Sequence, residues 1–355
     1  MKINLYAPIC NTGYGISAYN ILLELYKQGH DVTYFNIGQP EQMPDSQTIL
    51  NTWFVSNPKE IDMNAPCVKI WHQHELYDRI GKGKHYGFPI FELDRFTAQE
   101  IASLKSCDEL IVCSHWAKQI ILNNLGQKSP PIHVVPLGVD PEIFTLNSIN
   151  RKQTIFFNCG KWEVRKGHDV ILECFEKAFS DEDNVELWMM CQNPFPFAKG
   201  EEWERKYKDS HMANKIKLIP RQPTQKNVYD IMKQVDCGVF PARAEGWNLE
   251  LLEMMAIGKN VITTNYSGHT EFCNKNNSYL IDINGLESAY DGIWFKNQGM
   301  WASIGQSEKN QIINHMRLIH DLKQQNKLPI NEAGIETGKN FTWKNSVEKL
   351  IKILS

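Results

Sequence analysis

Short runs that are apolar at consecutive positions alternate with longer amphipathic stretches along the whole chain. Ile155-Phe156-Phe157 and Leu187-Trp188-Met189-Met190 show the first kind. A strand with no polar face must be covered on both sides, as parallel strands are when helices pack above and below them. In the first half, strands are expected at 2–7, 31–36, 48–55, 67–72, 87–92, 109–114 and 132–136, with helices at 16–28, 97–105 and 116–124. The second half repeats the plan, with strands at 154–159, 185–191, 215–220, 237–241, 260–264 and 278–281. Its helices are expected at 168–179, 226–234 and 249–257. Such alternation points to α/β architecture with two doubly wound domains, and 355 residues exceed what one core usually supports. The seam is expected in the polar stretch 147–153. The stretch 307–327 has few large apolar residues and reads as a surface helix.

Lys and Arg number 38 against 41 Asp and Glu, a formal charge of −3. That balance excludes a protein built to wrap nucleic acid, though it leaves room for a local cationic cleft. The nine cysteines are odd in number, form no CxxC pair and sit mostly in apolar runs, where a thiol is a small core residue. A reducing compartment follows, without disulfide framework or zinc cluster. The N-terminus has no apolar signal region, and no run approaches the roughly 20 apolar residues of a membrane span. The expectation is a cytoplasmic protein without a transmembrane segment, with peripheral membrane association left open.

Ligands of doubly wound folds sit beyond the carboxyl ends of strands. After the expected strand at 237–241 comes Pro241-Ala-Arg-Ala-Glu245-Gly246-Trp247-Asn248-Leu249-Glu-Leu-Leu-Glu253-Met-Met-Ala-Ile-Gly258. Gly246 permits close backbone approach to a ligand, and the amides of Asn248, Leu249 and Glu250 at a helix start favour a phosphate. Together with the carboxylates of Glu245 and Glu253, they form a cradle suited to a nucleotide sugar. After the strand at 154–159, Gly160-Lys161-Trp-Glu-Val-Arg165-Lys166-Gly167 gathers three cations. These are able to neutralise a departing diphosphate, although such a run is also an ordinary solvated loop. Gly13-Tyr14-Gly15, after the first strand, fits a phosphate loop or a simple turn. His72-Gln73-His74 fits either structural histidines or part of a metal site that lacks a third ligand. Asp181-Glu182-Asp183 has the form of a metal-binding D-x-D but follows a helix, where an acidic loop is usual.

The pair Glu245 and Glu253, in its setting of Glu-Gly-Trp-Asn-Leu and Met-Ala-Ile-Gly, resembles the signature of the retaining glycosyltransferases of family 4. So do Val134-Val-Pro-Leu-Gly138-Val-Asp140, Thr264-Asn-Tyr-Ser-Gly268-His-Thr-Glu271 and Asn340-Phe-Thr-Trp343. Asn248 and Glu250 depart from the usual glycine and proline. The resemblance implies a GT-B fold, with two Rossmann-like domains facing a cleft. They would be an acceptor-side domain over 1–147 and a donor-binding domain over 148–335. A helix in 336–355 would cross back to the first domain.

It further implies that Glu245 meets the donor sugar and Glu253 the ribose. Lys161 and Lys166 would stabilise the diphosphate, with Arg165 able to share that role. His74 would reach the sugar from the first domain. Gly13 and Gly15 would touch phosphate, and Arg221 would lie near the base. Gly246, Trp247, Asn248 and Leu249 complete the donor site. The implied reaction is metal-independent transfer of a hexose, with retention, from a UDP- or GDP-sugar to a carbohydrate, lipid-linked or other acceptor. No cofactor beyond that co-substrate is implied. A GT-B sugar-nucleotide epimerase or phosphorylase, or a non-catalytic sugar-nucleotide module, is the alternative.

Overall fold

The computed structural model describes residues 1–41, 61–146, 149 and 151–355, so the strand expected at 48–55 lies outside the described residues. The chain forms two compact units, Met1–Gly138 with Phe341–Ser355, and Val139–Asn340.

The first unit carries β1 (Lys2–Ala7), β2 (Asp31–Asn36), β3 (Cys67–Ile70), β4 (His85–Phe88), β5 (Glu109–Val112) and β6 (Ile132–Val134). They form one parallel sheet in the order β2-β1-β3-β4-β5-β6. Its helices are α1 (Gly13–Lys27), α2 (Ala98–Lys105), α3 (His115–Leu125) and, from the chain's end, α10 (Trp343–Leu354). Thr97 and Glu100 form a reciprocal capping box that fixes the start of α2. The strand expected at 87–92 is β4, two residues earlier. Cys67 pairs with His85 and Ile70 with Phe88, and Pro89 then offers no amide to continue the ladder.

The second unit is a parallel sheet of β7 (Thr154–Gly160), β8 (Val185–Cys191), β9 (Ile216–Leu218), β10 (Cys237–Phe240), β11 (Asn260–Thr264) and β12 (Tyr279–Ile281). The order is β12-β11-β10-β7-β8-β9. The chain winds outward from β7 to β9, returns to β10 beside β7, and winds outward again. The β7/β10 junction is therefore the topological switch point. Helices α4 (His168–Ala178), α5 (Gly200–Lys208), α6 (Gln225–Met232), α7 (Leu249–Ala256), α8 (Gln306–Gln324) and α9 (Glu332–Asn340) complete this unit, with an antiparallel hairpin of β13 (Leu286–Tyr290) and β14 (Lys296–Ala302).

The stretch 307–327 and the unit boundaries also differ from the sequence expectations. The stretch read as a surface helix is α8, and its Ile312, Met316 and Ile319 are wholly buried in the core of the second unit. Three apolar residues at helical spacing suffice for a buried stripe even in a polar sequence. The units divide at Gly138/Val139 and Asn340/Phe341, where the sequence places the divisions at 147/148 and 335/336. At Gly138 the chain passes so close to the start of α10 that an added Cβ would lie 2.2 Å from the Trp343 nitrogen. That contact holds residues up to 138 to the first unit.

Candidate active site

Both loops at the β7/β10 switch point carry the charged residues singled out in the sequence. Gly167 has φ 76°, and a Cβ there would lie 2.2 Å from the Pro241 carbonyl oxygen, so the loop after β7 packs directly on the loop after β10. This contact brings Lys166 Nζ to 2.9 Å from Glu245 Oε1 and Arg165 Nη1 to 2.8 Å from Glu245 Oε2. Arg165 turns its Nε and Nη2 to Glu163 Oε2 at 3.1 and 2.8 Å, and Lys161 Nζ meets Glu163 Oε1 at 2.9 Å. A chain of alternating charge results, Lys161–Glu163–Arg165–Glu245–Lys166, with three cations against two carboxylates. All but Lys161 are buried or nearly so.

For Glu245, Lys166 and Glu163 burial opposes the ionised form, and the neighbours decide the outcome. For Glu245, Arg165 and Lys166 overcome burial and hold the carboxyl down to about 2. Burial alone would lower the Lys166 ammonium, but Glu245 and Glu250 hold it above its usual range. Glu163 is likewise held low by Arg165 and Lys161 against burial.

Glu253 is the counterexample. It is 6% exposed and accepts a long contact from Gln225 Nε2 at 3.5 Å. Burial, reinforced by Glu250, pushes its carboxyl up to about 8. At neutral pH this group is protonated and able to donate as well as accept.

The turn into α7 is shaped by Asn248, which takes φ 81°. Its Oδ1 accepts the Leu251 amide at 3.2 Å, and the first-turn amides of Leu249 and Glu250 have no acceptor within the helix. Gly246 lies in the buried loop between Glu245 and this turn. Trp247 is 2% exposed, with its ring 4.9 Å from Phe272, so it packs in the core rather than presenting a stacking face.

Sequence reasoning missed the groups that hold these loops. His168, wholly buried, accepts the Glu163 amide at Nδ1 (3.0 Å) and places Nε2 2.9 Å from Asn158 Oδ1. Burial, with Lys166 nearby, lowers it to about 3, so it is a neutral peg. Arg243 makes a bidentate pair with Asp169 at 2.9 and 2.8 Å, donates to the Val164 carbonyl and pairs with Glu287 of β13. After β11, Ser267 Oγ accepts the Glu245 amide at 2.8 Å, and the Gly268 amide donates to the Glu245 carbonyl at 2.9 Å. The Gly268 turn was visible in the sequence; the roles of His168 and Arg243 depend on pairings that no local pattern reveals.

In the first unit, the β1/β3 junction gathers the other candidates. Gly13 and Gly15 begin α1, and the Tyr14 ring between them lies 4.6 Å from His72 and 5.6 Å from Trp71. The half-exposed His74 stacks on His72 at 5.4 Å, with Nε2 4.0 Å from Glu75. Arg221 is half-buried just beyond β9. Asp183 of the D-x-D run accepts the Ser180 amide and pairs with Arg317. Among the described residues no helix is long and apolar enough to cross a membrane.

Comparison with known structures places this architecture. The chain is similar to sucrose-phosphate synthase from Thermosynechococcus elongatus (TM-score 0.72, 12% identity, 99% of this chain and 98% of that one). It is similar also to Anabaena HepE in complex with UDP-glucose (TM-score 0.70, 12% identity, 100% and 99%). The fold is GT-B. Residues 152–293 of this GT-B chain match the family described as Glycosyl transferases group 1. In sequence, the chain is 21% identical over 292 residues to the putative glycosyltransferase 45 of Sulfolobus islandicus filamentous virus (isolate Iceland/Hveragerdi), covering 80% of this chain and 75% of that protein. The matched segment contains the whole Lys161–Lys166 charge chain and both glutamates, and it supports a GT-B glycosyltransferase.

Proposed function

We propose that this chain transfers a hexosyl group from a UDP-sugar to an acceptor hydroxyl with retention and without a metal ion, in the cytoplasm. The observation that carries the reading is the buried knot of Lys166, Arg165 and Glu245 at the switch point of the second sheet. The diphosphate lies against Lys166, Arg165 or Lys161 and the first-turn amides of α7, which together supply positive charge where the leaving group develops its own. Glu245, fixed by two cations, orients the sugar. Glu253, neutral at working pH, bonds the ribose diol, and Arg221 lies toward the base. The bond from the anomeric carbon to the diphosphate oxygen breaks as the acceptor oxygen bonds the same face of that carbon, and the acceptor proton passes to the departing phosphate. UDP is preferred over GDP because HepE, similar over its whole length, is described with UDP-glucose.

The test is a panel of UDP- and GDP-sugars assayed for nucleoside diphosphate release with added acceptors. Wild type should release UDP, and Lys166→Ala should reduce turnover at least 100-fold, the scale of losing one preorganised charge contact. Full turnover in Lys166→Ala would reject the site.

A further inference from the structure

The cation at the outer end of the charge chain points to a second feature of the same unit. Lys161 Nζ, while paired with Glu163, stands 5.4 Å from the ring centre of Trp294 and 5.9 Å from that of Phe195. Phe197 completes a triangle, 5.1 Å from Trp294 and 5.7 Å from Phe195. These rings are outward-facing: Phe195 and Trp294 are each 38% exposed and Phe197 is 59% exposed. Beside them opens a pocket of ≈ 150 Å³ whose wall includes Trp294, Lys199, Glu202, Lys206 and Asp291.

The rings come from two segments, each tied by its own hydrogen bonds. Phe195 and Phe197 lie in the loop after β8, where Asn193 accepts the Phe195 amide at 3.1 Å and donates to the Trp162 carbonyl at 3.2 Å. Trp294 sits at the tip of the β13–β14 hairpin, where Asp291 Oδ1 accepts the amides of Ile293, Trp294 and Phe295 at 2.8 Å each. The base of that hairpin is tied to the loop after β10 through Arg243, which pairs with Glu287 and whose carbonyl accepts the Ala302 amide at 2.9 Å. An exposed aromatic cluster on so fixed a frame calls for an occupant.

We infer that Trp294, Phe195 and Phe197 form a platform for a saccharide chain, so that the acceptor of the proposed transferase is itself an oligo- or polysaccharide. The inference rests on the transferase reading for the role of the chain as acceptor. The apolar face of a pyranose carries C–H groups that fit the electron-rich face of an aromatic ring, while its hydroxyls need both donors and acceptors nearby. The pocket wall offers both, from Lys206 and the exposed pair of Lys199 with Glu202 at 3.4 Å, and from the second carboxylate oxygen of Asp291. A surface for anionic lipid would be cationic throughout, and the carboxylates of Glu163, Glu202 and Asp291 interrupt it.

The test titrates the full chain with neutral hexasaccharides of glucose, N-acetylglucosamine, galactose and mannose, following tryptophan fluorescence and calorimetry, with UDP binding measured in parallel. At least one hexasaccharide should bind saturably, and Trp294→Ala should weaken it about tenfold. Phe197→Ala, which leaves the Lys161 contacts in place, should weaken it in the same direction with UDP affinity unchanged. The platform is overturned if no hexasaccharide binds a protein that binds UDP, or if both variants bind as wild type does. It is overturned equally if Trp294 and Phe197 govern only binding to phosphatidylglycerol vesicles. Failure of wild type to bind UDP while a hexasaccharide still binds through Trp294 would reject the donor-site reading and leave the platform standing.

Discussion

Glu245 and Glu253 lie eight positions apart and behave oppositely, because one is buried between two cations and the other is buried beside a second carboxylate. For Glu253 the folded carboxyl holds its proton to about 8, against an ordinary value of 4.5. Between those values the unfolded chain has released a proton that the folded chain keeps, so stability falls as pH rises through that window. Glu253→Gln removes the slope. Its melting temperature should match wild type near pH 5 and exceed it by several degrees at pH 8.5, and a flat difference across that range would reject the assignment.

Glu245 runs the other way. Its folded carboxyl is held to about 2, so its contribution is present above 4.5 and is lost as pH falls toward 2. Glu245→Gln leaves Lys166 and Arg165 buried with one carboxylate fewer, which should cost about 3–5 kcal/mol in urea denaturation at pH 7. It should also suppress transfer in whatever fraction remains folded.

At the level of elements, what was legible in the sequence follows from how each element is stabilised. The sequence boundaries of β8 and β11 match the structure residue for residue, because β8 carries the apolar run 187–191 and β11 the β-branched run 261–264. Helix α5 escaped notice, since only Trp203 and Tyr207 of its residues are buried, a four-residue spacing too sparse to read among charges. The β13–β14 hairpin was equally hidden: only Ala289, Trp301 and Ala302 of its strand residues are buried, and Arg243, from a distant loop, supplies its anchorage. The charge chain shows the same division. Lys161, Arg165, Lys166 and Glu245 stand out by spacing, whereas His168 and Glu163 acquire meaning only through their partners. Helix α8 offers a direct check. Met316→Ala should destabilise the second unit by about 2–5 kcal/mol, as expected for a wholly buried side chain, while a solvent-facing Met would change little.

For the whole molecule, the chain leaves the first unit at Gly138, builds the second unit entirely, and comes back at Phe341. Helix α10 is amphipathic, and Trp343, Val347 and Leu350 bury its apolar face in the first unit, where it packs on α1. Residues 139–340 expressed alone should therefore fold cooperatively and bind UDP, because both loops of the charge chain lie within them. Deleting 341–355 should leave that binding in place while the first unit becomes susceptible to protease at a temperature where wild type resists. Equal resistance of the truncated chain would show that α10 is dispensable.

The return at Phe341 also sets a schedule. During synthesis residues 1–138 precede the second unit, yet the first unit cannot be closed until 341–355 emerge, by which time all of 139–340 has been available to fold. The nascent first sheet must wait with one helix-sized face of α1 uncovered through the translation of roughly 200 codons, at about 5–20 residues per second. Delay in translating 139–340 therefore falls on the first unit, and it is there that a chaperone would find its substrate.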